Sequence, residues 1–192
     1  MVITTDKKNK KQEILEAASQ LFREKGYAAA SIRDLALKVG LEPSSIYSHI
    51  ESKEQLLVTI CLNCADRFTE GMKEISESEA SPKKKLKKLI KLHLEIAYND
   101  PTSVAVFSDE WKHLPESAMI PFMRSRKEYA AQFKAILKEG KRMGQFQFAD
   151  DEIIFNIIIN ALRWTYFTTE KPEGGKLYEA ISEFILNGLN NN

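Results

Sequence analysis

The chain has 192 residues, 43% of them hydrophobic, with 28 Lys and Arg against 27 Asp and Glu and a formal net charge of +1. That length suits one large domain or a small domain joined to a larger one, and the near-neutral charge excludes a molecule that is basic all over, so any polyanion contact must be local. No apolar run reaches the roughly 18 to 20 residues of a membrane span, and the N-terminus MVITTDKKNKK has no apolar secretory core, so a cytoplasmic protein without a membrane partner is expected.

The first element follows a lysine-rich arm (Lys7, Lys8, Lys10, Lys11), which reads either as solvated chain or as a phosphate contact. Residues 12 to 25 place Ile14, Leu15, Ala18, Leu21 and Phe22 on one face and stop at Gly26, an amphipathic helix. Ser31 is placed to cap a second helix carrying Ile32, Leu35, Ala36 and Val39. Gly40 suits the left-handed turn that ends it, with Leu41 packing beneath. Pro43 then suits the first turn of a third helix, with Ile46 and Ile50 facing inward. Its other face carries Ser44, Ser45, Tyr47, Ser48 and His49, hydrogen-bonding and without acid. A short polar helix behind a tight glycine turn is what reading the DNA major groove requires.

From Ser52, with Gln55 in the capping-box position, a long helix carries Leu56, Leu57, Ile60, Cys61, Cys64, Phe68, Met72 and Ile75. Cys61 and Cys64 have CxxC spacing but lack the further ligands of a zinc site, so they read as small packed side chains. The polar stretch 77 to 82 breaks the pattern. Residues 83 to 99 open with lysines, a solvated end, and become apolar on nearly all sides around Leu92, Leu94, Ile96 and Ala97. Asp100-Pro101 ends this helix and a shorter one follows over 104 to 114. After Pro115 the next helix, with Pro121 near its start, runs to about Met143 and carries Phe122, Tyr129, Phe133, Ile136 and Leu137. Residues 144 to 151 alternate like a strand but have no partner, and read as a connection. Residues 151 to 169 form the most apolar helix, and KPEGG separates it from a last helix over 176 to 188. The expected fold is all-α with about nine helices, divided into a DNA-reading domain at 1 to 52 and a larger domain at 53 to 192.

Catalytic patterns are poor. Glu110 and His113 have the Glu-x-x-His spacing of a di-iron half-site, but neither His49 nor His93 supplies the other half. No Gly-rich phosphate loop, nucleophile elbow or HExxH is present, so no enzyme, cofactor or metal is expected. A sensory pocket is the better use of the C-terminal core: Phe107, Trp111, Tyr129, Phe133, Trp164 and Phe167 supply flat apolar surface, and His93, Asn160 and Arg163 are polar groups in apolar helices. Singly, each also reads as ordinary core. Ile154, Ile158, Leu162, Ile181 and Ile185 supply more apolar surface than a small monomer easily hides, and read as a two-fold dimer interface.

The order FREKGY, SIRDLALKVGL, SSIYSHIESKEQLL over about residues 10 to 60 resembles the TetR family of bacterial transcriptional regulators. The resemblance implies a homodimer that binds operator DNA through its first three helices and an inducer through the rest. It implies DNA contacts from Ser31 and Arg33 at the second helix and from Ser44, Ser45, Tyr47, Ser48 and His49 at the third, with Tyr47 and Lys53 meeting phosphate. Ser44 stands where the family often has glycine, Ile50 where it often has phenylalanine, and Glu51 adds a negative charge near the phosphates. SDEWKHL and NALRWTYFTTEKPEGG are similar to the TetR members that sense fatty acyl-CoA or steroid-derived CoA thioesters, which implies a repressor released by a hydrophobic effector such as an acyl-CoA. Arg163, or the group Arg124, Arg126 and Lys127, would then receive a CoA phosphate. The competing reading is a helical scaffold or adaptor that binds a protein through its N-terminal bundle.

Overall fold

Nine α-helices, two 3-10 turns and no strand make up the residues that the computed structural model describes, which are 3–167 and 175–189, with side chains from Lys10 onward. The side chains of Lys7 and Lys8, the expected end of the apolar helix at 168 and 169, and most of the KPEGG linker lie outside the described residues. The helices are α1 Ile3–Lys25, α2 Ile32–Lys38, α3 Pro43–Ile46, α4 Lys53–Glu77, α5 Pro82–Asn99, α6 Pro101–Asp109, α7 Glu116–Arg142, α8 Asp151–Arg163 and α9 Lys176–Gly188. The 3-10 turns are Trp111–His113 and Trp164–Tyr166. No described helix is long and apolar enough to cross a membrane.

Several ends differ from the sequence reading for local reasons. α1 begins well before the expected residue 12, because the polar run at its start carries no periodic signal. α7 starts at Glu116, where the N–H groups of Ala118 and Met119 both reach the Pro115 carbonyl, so Pro121 lies inside the helix. The connection expected over 144 to 151 is present up to Asp150, the N-cap of α8, and turns at Gly144 in the left-handed region (φ +68°). It folds back on α7: Gln145 and Phe146 donate to the Gly140 carbonyl at 2.8 and 3.2 Å, and Gln147 donates to that of Leu189 at 2.8 Å. A Cβ on Gly140 would stand 2.1 Å from the Phe146 ring, so only glycine leaves room for that buried side chain.

The chain divides into two compact units, one gathering Met1–Ala65 with Thr102–Phe122, the other Asp66–Pro101 with Met123–Asn192. The first unit buries Ile14, Ala18, Leu21 and Phe22 of α1 with Leu35, Ala36, Ile46, Ile50, Leu57, Ile60 and Cys61, and closes with Val106, Leu114, Ala118 and Phe122. The second buries Met72, Leu86, Leu89 and Ile90 with Phe133, Leu137, Phe146, Ile158, Leu162, Ile185 and Leu186. Cys61 and Cys64 are buried thiols, and desolvation followed by the charge of Glu110 pushes Cys61 up to about 12, so it stays protonated and inert.

Candidate functional site

In the first unit the sequence builds a rigid two-helix frame. The Ser31 hydroxyl accepts the Asp34 N–H at 3.2 Å while the Asp34 carboxylate accepts the Ser31 N–H at 3.0 Å, a closed capping box at the start of α2. Lys25 adds a 2.7 Å ion pair, and with the Ser31 bonds it lowers Asp34 to about 2. At the other end Gly40 takes φ +66° and the Leu41 N–H returns to the Ala36 carbonyl at 2.9 Å, which stops α2 within one residue. Pro43 then opens α3.

The third helix, the expected reader, is shorter than its sequence suggests. α3 is helical only from Pro43 to Ile46, and residues 47 to 49 continue as turns: Ser48 and His49 donate to the carbonyls of Ser45 and Ile46 at 3.2 and 2.9 Å. Serine, tyrosine and histidine are weak helix formers, and the Ser48 hydroxyl competes for the Ser45 carbonyl at 2.7 Å. Buried Ile46 and Ile50 still anchor the segment, as their spacing implied. Ser31, Arg33, Ser44, Ser45, Tyr47 and Ser48 are exposed, with Tyr47 57% accessible. His49 is half-buried, and its Nδ1 is buried without a hydrogen-bond partner. Lys53 is engaged within the protein: its ammonium donates to the Tyr27 and Ala30 carbonyls, both at 2.8 Å, and lies 4.3 Å from the centre of the Tyr27 ring. The His113 ring packs against the same tyrosine, 5.5 Å between centres. Lys53 therefore fixes the α1–α2 turn to the start of α4, and offers phosphate only the capacity that two carbonyl bonds leave.

The second unit holds a buried polar chain. His93 on α5 lies between two phenols, with Nδ1 2.6 Å from the Tyr166 hydroxyl and Nε2 2.6 Å from that of Tyr129. Phe68 covers the imidazole at 4.8 Å, and burial lowers His93 to about 3 and raises Tyr129 above the usual phenol range. The neutral ring donates from one nitrogen and accepts at the other. The sequence marks His93 and Tyr129 as pocket candidates, whereas Tyr166 carries only the signal of a tyrosine beside an apolar helix end. Phe133 is fully buried nearby in the same core.

The remaining pocket candidates do not form one set. Phe107 and Trp111 belong to the first unit, where both rings pack on Phe122 at 5.6 and 5.9 Å. Asn160, Trp164 and Phe167 are exposed, and the Asn160 amide donates to its own helix at the Asn156 carbonyl. Arg163 is half-buried and close enough to Arg126 to help lower that guanidinium's pKa, after desolvation. The dimer candidates also divide. Ile158, Leu162 and Ile185 are consumed by the unit's own core, and Ile154 and Ile181 are half-buried against it. Apolar groups that face outward include Ile153 and Ile157 on one side of α8, Trp164 and Phe167 in and just after the 3-10 turn that follows it, and Phe184 on α9, which is 71% accessible. These helices are apolar on several faces, so periodicity could not tell the inner side from the outer.

A capped helix, a glycine turn and a short exposed reader ahead of an all-helical body define a helix-turn-helix regulator. The chain belongs to the TetR family: its residues 14–60 match the bacterial regulatory proteins of that family, and residues 79–167 match the tetracyclin repressor-like C-terminal domain. It is thus a DNA-binding transcriptional regulator and not an enzyme. The HTH-type transcriptional repressor KstR2 of Mycolicibacterium smegmatis is 27% identical over 179 residues, 93% of this chain and 87% of that protein. The structure of the TetR family regulator PfmR from Thermus thermophilus superposes with a TM-score of 0.79 at 27% identity, covering 93% of this chain and 99% of that one. AibR, solved with isovaleryl coenzyme A and operator DNA, shares the fold with a TM-score of 0.77 at 22% identity, over 93% of this chain and 97% of that one.

Proposed function

We propose that the protein is a cytoplasmic, homodimeric repressor that a small hydrophobic effector of the acyl-CoA kind releases from its operator. The observation that carries the DNA half is the exposed, uncharged face of α3 and its following turn, held by buried Ile46 and Ile50. Ser44, Ser45 and His49 read base edges there, Arg33, Tyr47 and Ser48 contact the backbone, and Ser31 lies beside them with its hydroxyl committed to the cap. Residues 1 to 52 act as the reading head and 53 to 192 as the effector and dimer body, a functional division distinct from the two packing units. The exposed faces of α8 and α9 join two copies, and the two readers meet successive major grooves roughly 34 Å apart.

The acyl-CoA assignment is supported by the SDEWKHL and NALRWTYFTTEKPEGG resemblance and by the coenzyme A ligand of AibR. Within this chain it is supported by a hydrophobic core with one buried polar chain, Tyr129–His93–Tyr166, and by the neighbouring Arg126 and Arg163. Moving the balance from 1:99 to 99:1 requires about 5.5 kcal/mol of preference for the non-binding state.

Mobility shift with fragments of the neighbouring genes tests the DNA half. Tyr47→Ala lowers binding to every sequence, whereas His49→Ala changes sequence preference; intact binding in both variants removes α3 as the reader. Palmitoyl-CoA titrated into the complex releases the DNA, and no release removes the effector assignment while leaving the regulator in place. Binding that weakens steeply with salt separates this reading from a protein-binding adaptor.

A further inference from the structure

The outer face of α8 does not have the composition of a face that meets only water. Its exposed positions Ile153, Asn156, Ile157 and Asn160, continued by Trp164, recur at i, i+3, i+4, i+7 and i+11. They form one stripe roughly 16 Å long, on the side away from buried Ile158 and Leu162. None of the five is charged, in a chain of which 29% is charged, whereas a solvated helix face carries Lys and Glu. Phe184 of α9, in the same packing unit, adds a ring that is 71% accessible. A stripe of this kind calls for a cover.

The two asparagines differ in what they have left to offer. The Asn156 amide nitrogen donates to the Glu152 carbonyl at 2.8 Å and to the Glu152 carboxylate at 3.4 Å, so both of its N–H groups turn back along α8 and its carbonyl oxygen remains. The Asn160 nitrogen donates once, to the Asn156 carbonyl at 2.8 Å, which leaves one N–H and the side-chain oxygen. An amide with one donor and one acceptor to offer is complementary to itself. Two such groups related by a two-fold axis exchange a pair of N–H···O bonds, whereas two Asn156 groups would set oxygen against oxygen.

We propose that Asn160 lies at the two-fold axis between two copies of this chain and pairs with its own counterpart, fixing the register of the α8 seam and selecting an identical partner. This deepens the proposed association through α8 and α9 and rests on it. In an isologous contact only a residue at the axis meets itself. Ile153, Ile157 and Trp164 supply apolar area but no register, since an apolar side chain is satisfied by any apolar neighbour. One polar residue in the seam penalises every register that leaves it unpaired. A partner with another side chain at this position leaves the amide unpaired too, so the same device separates self from non-self.

Subunit exchange followed by native mass spectrometry tests this, with full-length wild type enriched in 15N mixed in equal amounts with unlabelled Asn160→Leu. Leucine in both copies replaces both amides at once, so the variant stays a dimer at least as tight as the wild type. The mixed dimer buries one amide against leucine and falls roughly tenfold below the half that random pairing gives. Asn156→Leu, away from the axis, mixes with the wild type at random. Asn160→Asp sets two carboxylates together and weakens the dimer by roughly 100-fold in light scattering. Random mixing of Asn160→Leu, a folded Asn160→Leu chain that is monomeric, or an Asn160→Asp dimer as tight as the wild type overturns the proposal and leaves the wild-type dimer in place. A wild-type chain that is itself monomeric removes the two-fold association, and this proposal with it.

Discussion

His93 is the residue whose surroundings make the sharpest demand on solution conditions. Its ring is buried between Tyr129 and Tyr166, and desolvation holds its pKa near 3 against an ordinary 6.5. Between those values the unfolded chain binds a proton that the folded chain excludes. The stability contributed is therefore complete above pH 6.5 and is lost as pH falls toward 3. One proton difference amounts to about 1.4 kcal/mol per pH unit, so urea unfolding should show a loss of about 2 kcal/mol between pH 6.5 and 5. His93→Gln should flatten that dependence, and an unchanged slope would show that the imidazole is hydrated in the native state. Gly140 sets a steric demand instead. Gly140→Ala drives a methyl into the buried Phe146 ring, and should lower stability by about 1 to 3 kcal/mol in the same assay. His93 was visible in the sequence as a polar residue in an apolar run. The need for glycine at 140 was not, because the ring that fills the space arrives from a connection six residues away.

At the scale of elements, the α1–α2 turn depends on a residue from α4. A cation at the first position of a helix opposes the helix dipole, yet Lys53 stands there with its ammonium bonded to two carbonyls of the turn. Lys53→Met should leave both carbonyls without that donor, cost about 1 to 3 kcal/mol in thermal unfolding, and weaken DNA binding through the loosened frame. Full binding with lost stability would confine Lys53 to a structural role. The frame itself was largely legible: Ser31, Gly40, Pro43, Ile46 and Ile50 each stand where their chemistry placed them. The length of α3 was not, because inward isoleucines at i and i+4 fit a helix and a helix followed by turns equally well. α8 was legible as a helix but not in its orientation. With Ile153, Ile154, Phe155, Ile157, Ile158, Ile159 and Leu162, no single apolar stripe exists to mark the inside.

For the whole molecule, that ambiguity decides how two copies would meet. Ile157 and Phe184 face solvent in the single chain, whereas Ile158 is buried. The pair Ile157→Asp and Phe184→Asp should give a folded monomer by light scattering with unchanged helical dichroism, whereas Ile158→Asp should unfold the second unit. A dimer that survives the first pair places the interface elsewhere. The division into units has a different reach. The one that carries the reader is not a continuous piece of chain: it takes back Thr102–Phe122, whose Ser103 bonds Ser19 of α1 at 3.1 Å and whose Val106, Leu114, Ala118 and Phe122 complete its core. A gene fragment stopping at residue 65 therefore encodes an incomplete fold. Grafting this reader onto a foreign sensor would have to carry the later segment as well, so recombination by a single crossover cannot exchange the two halves.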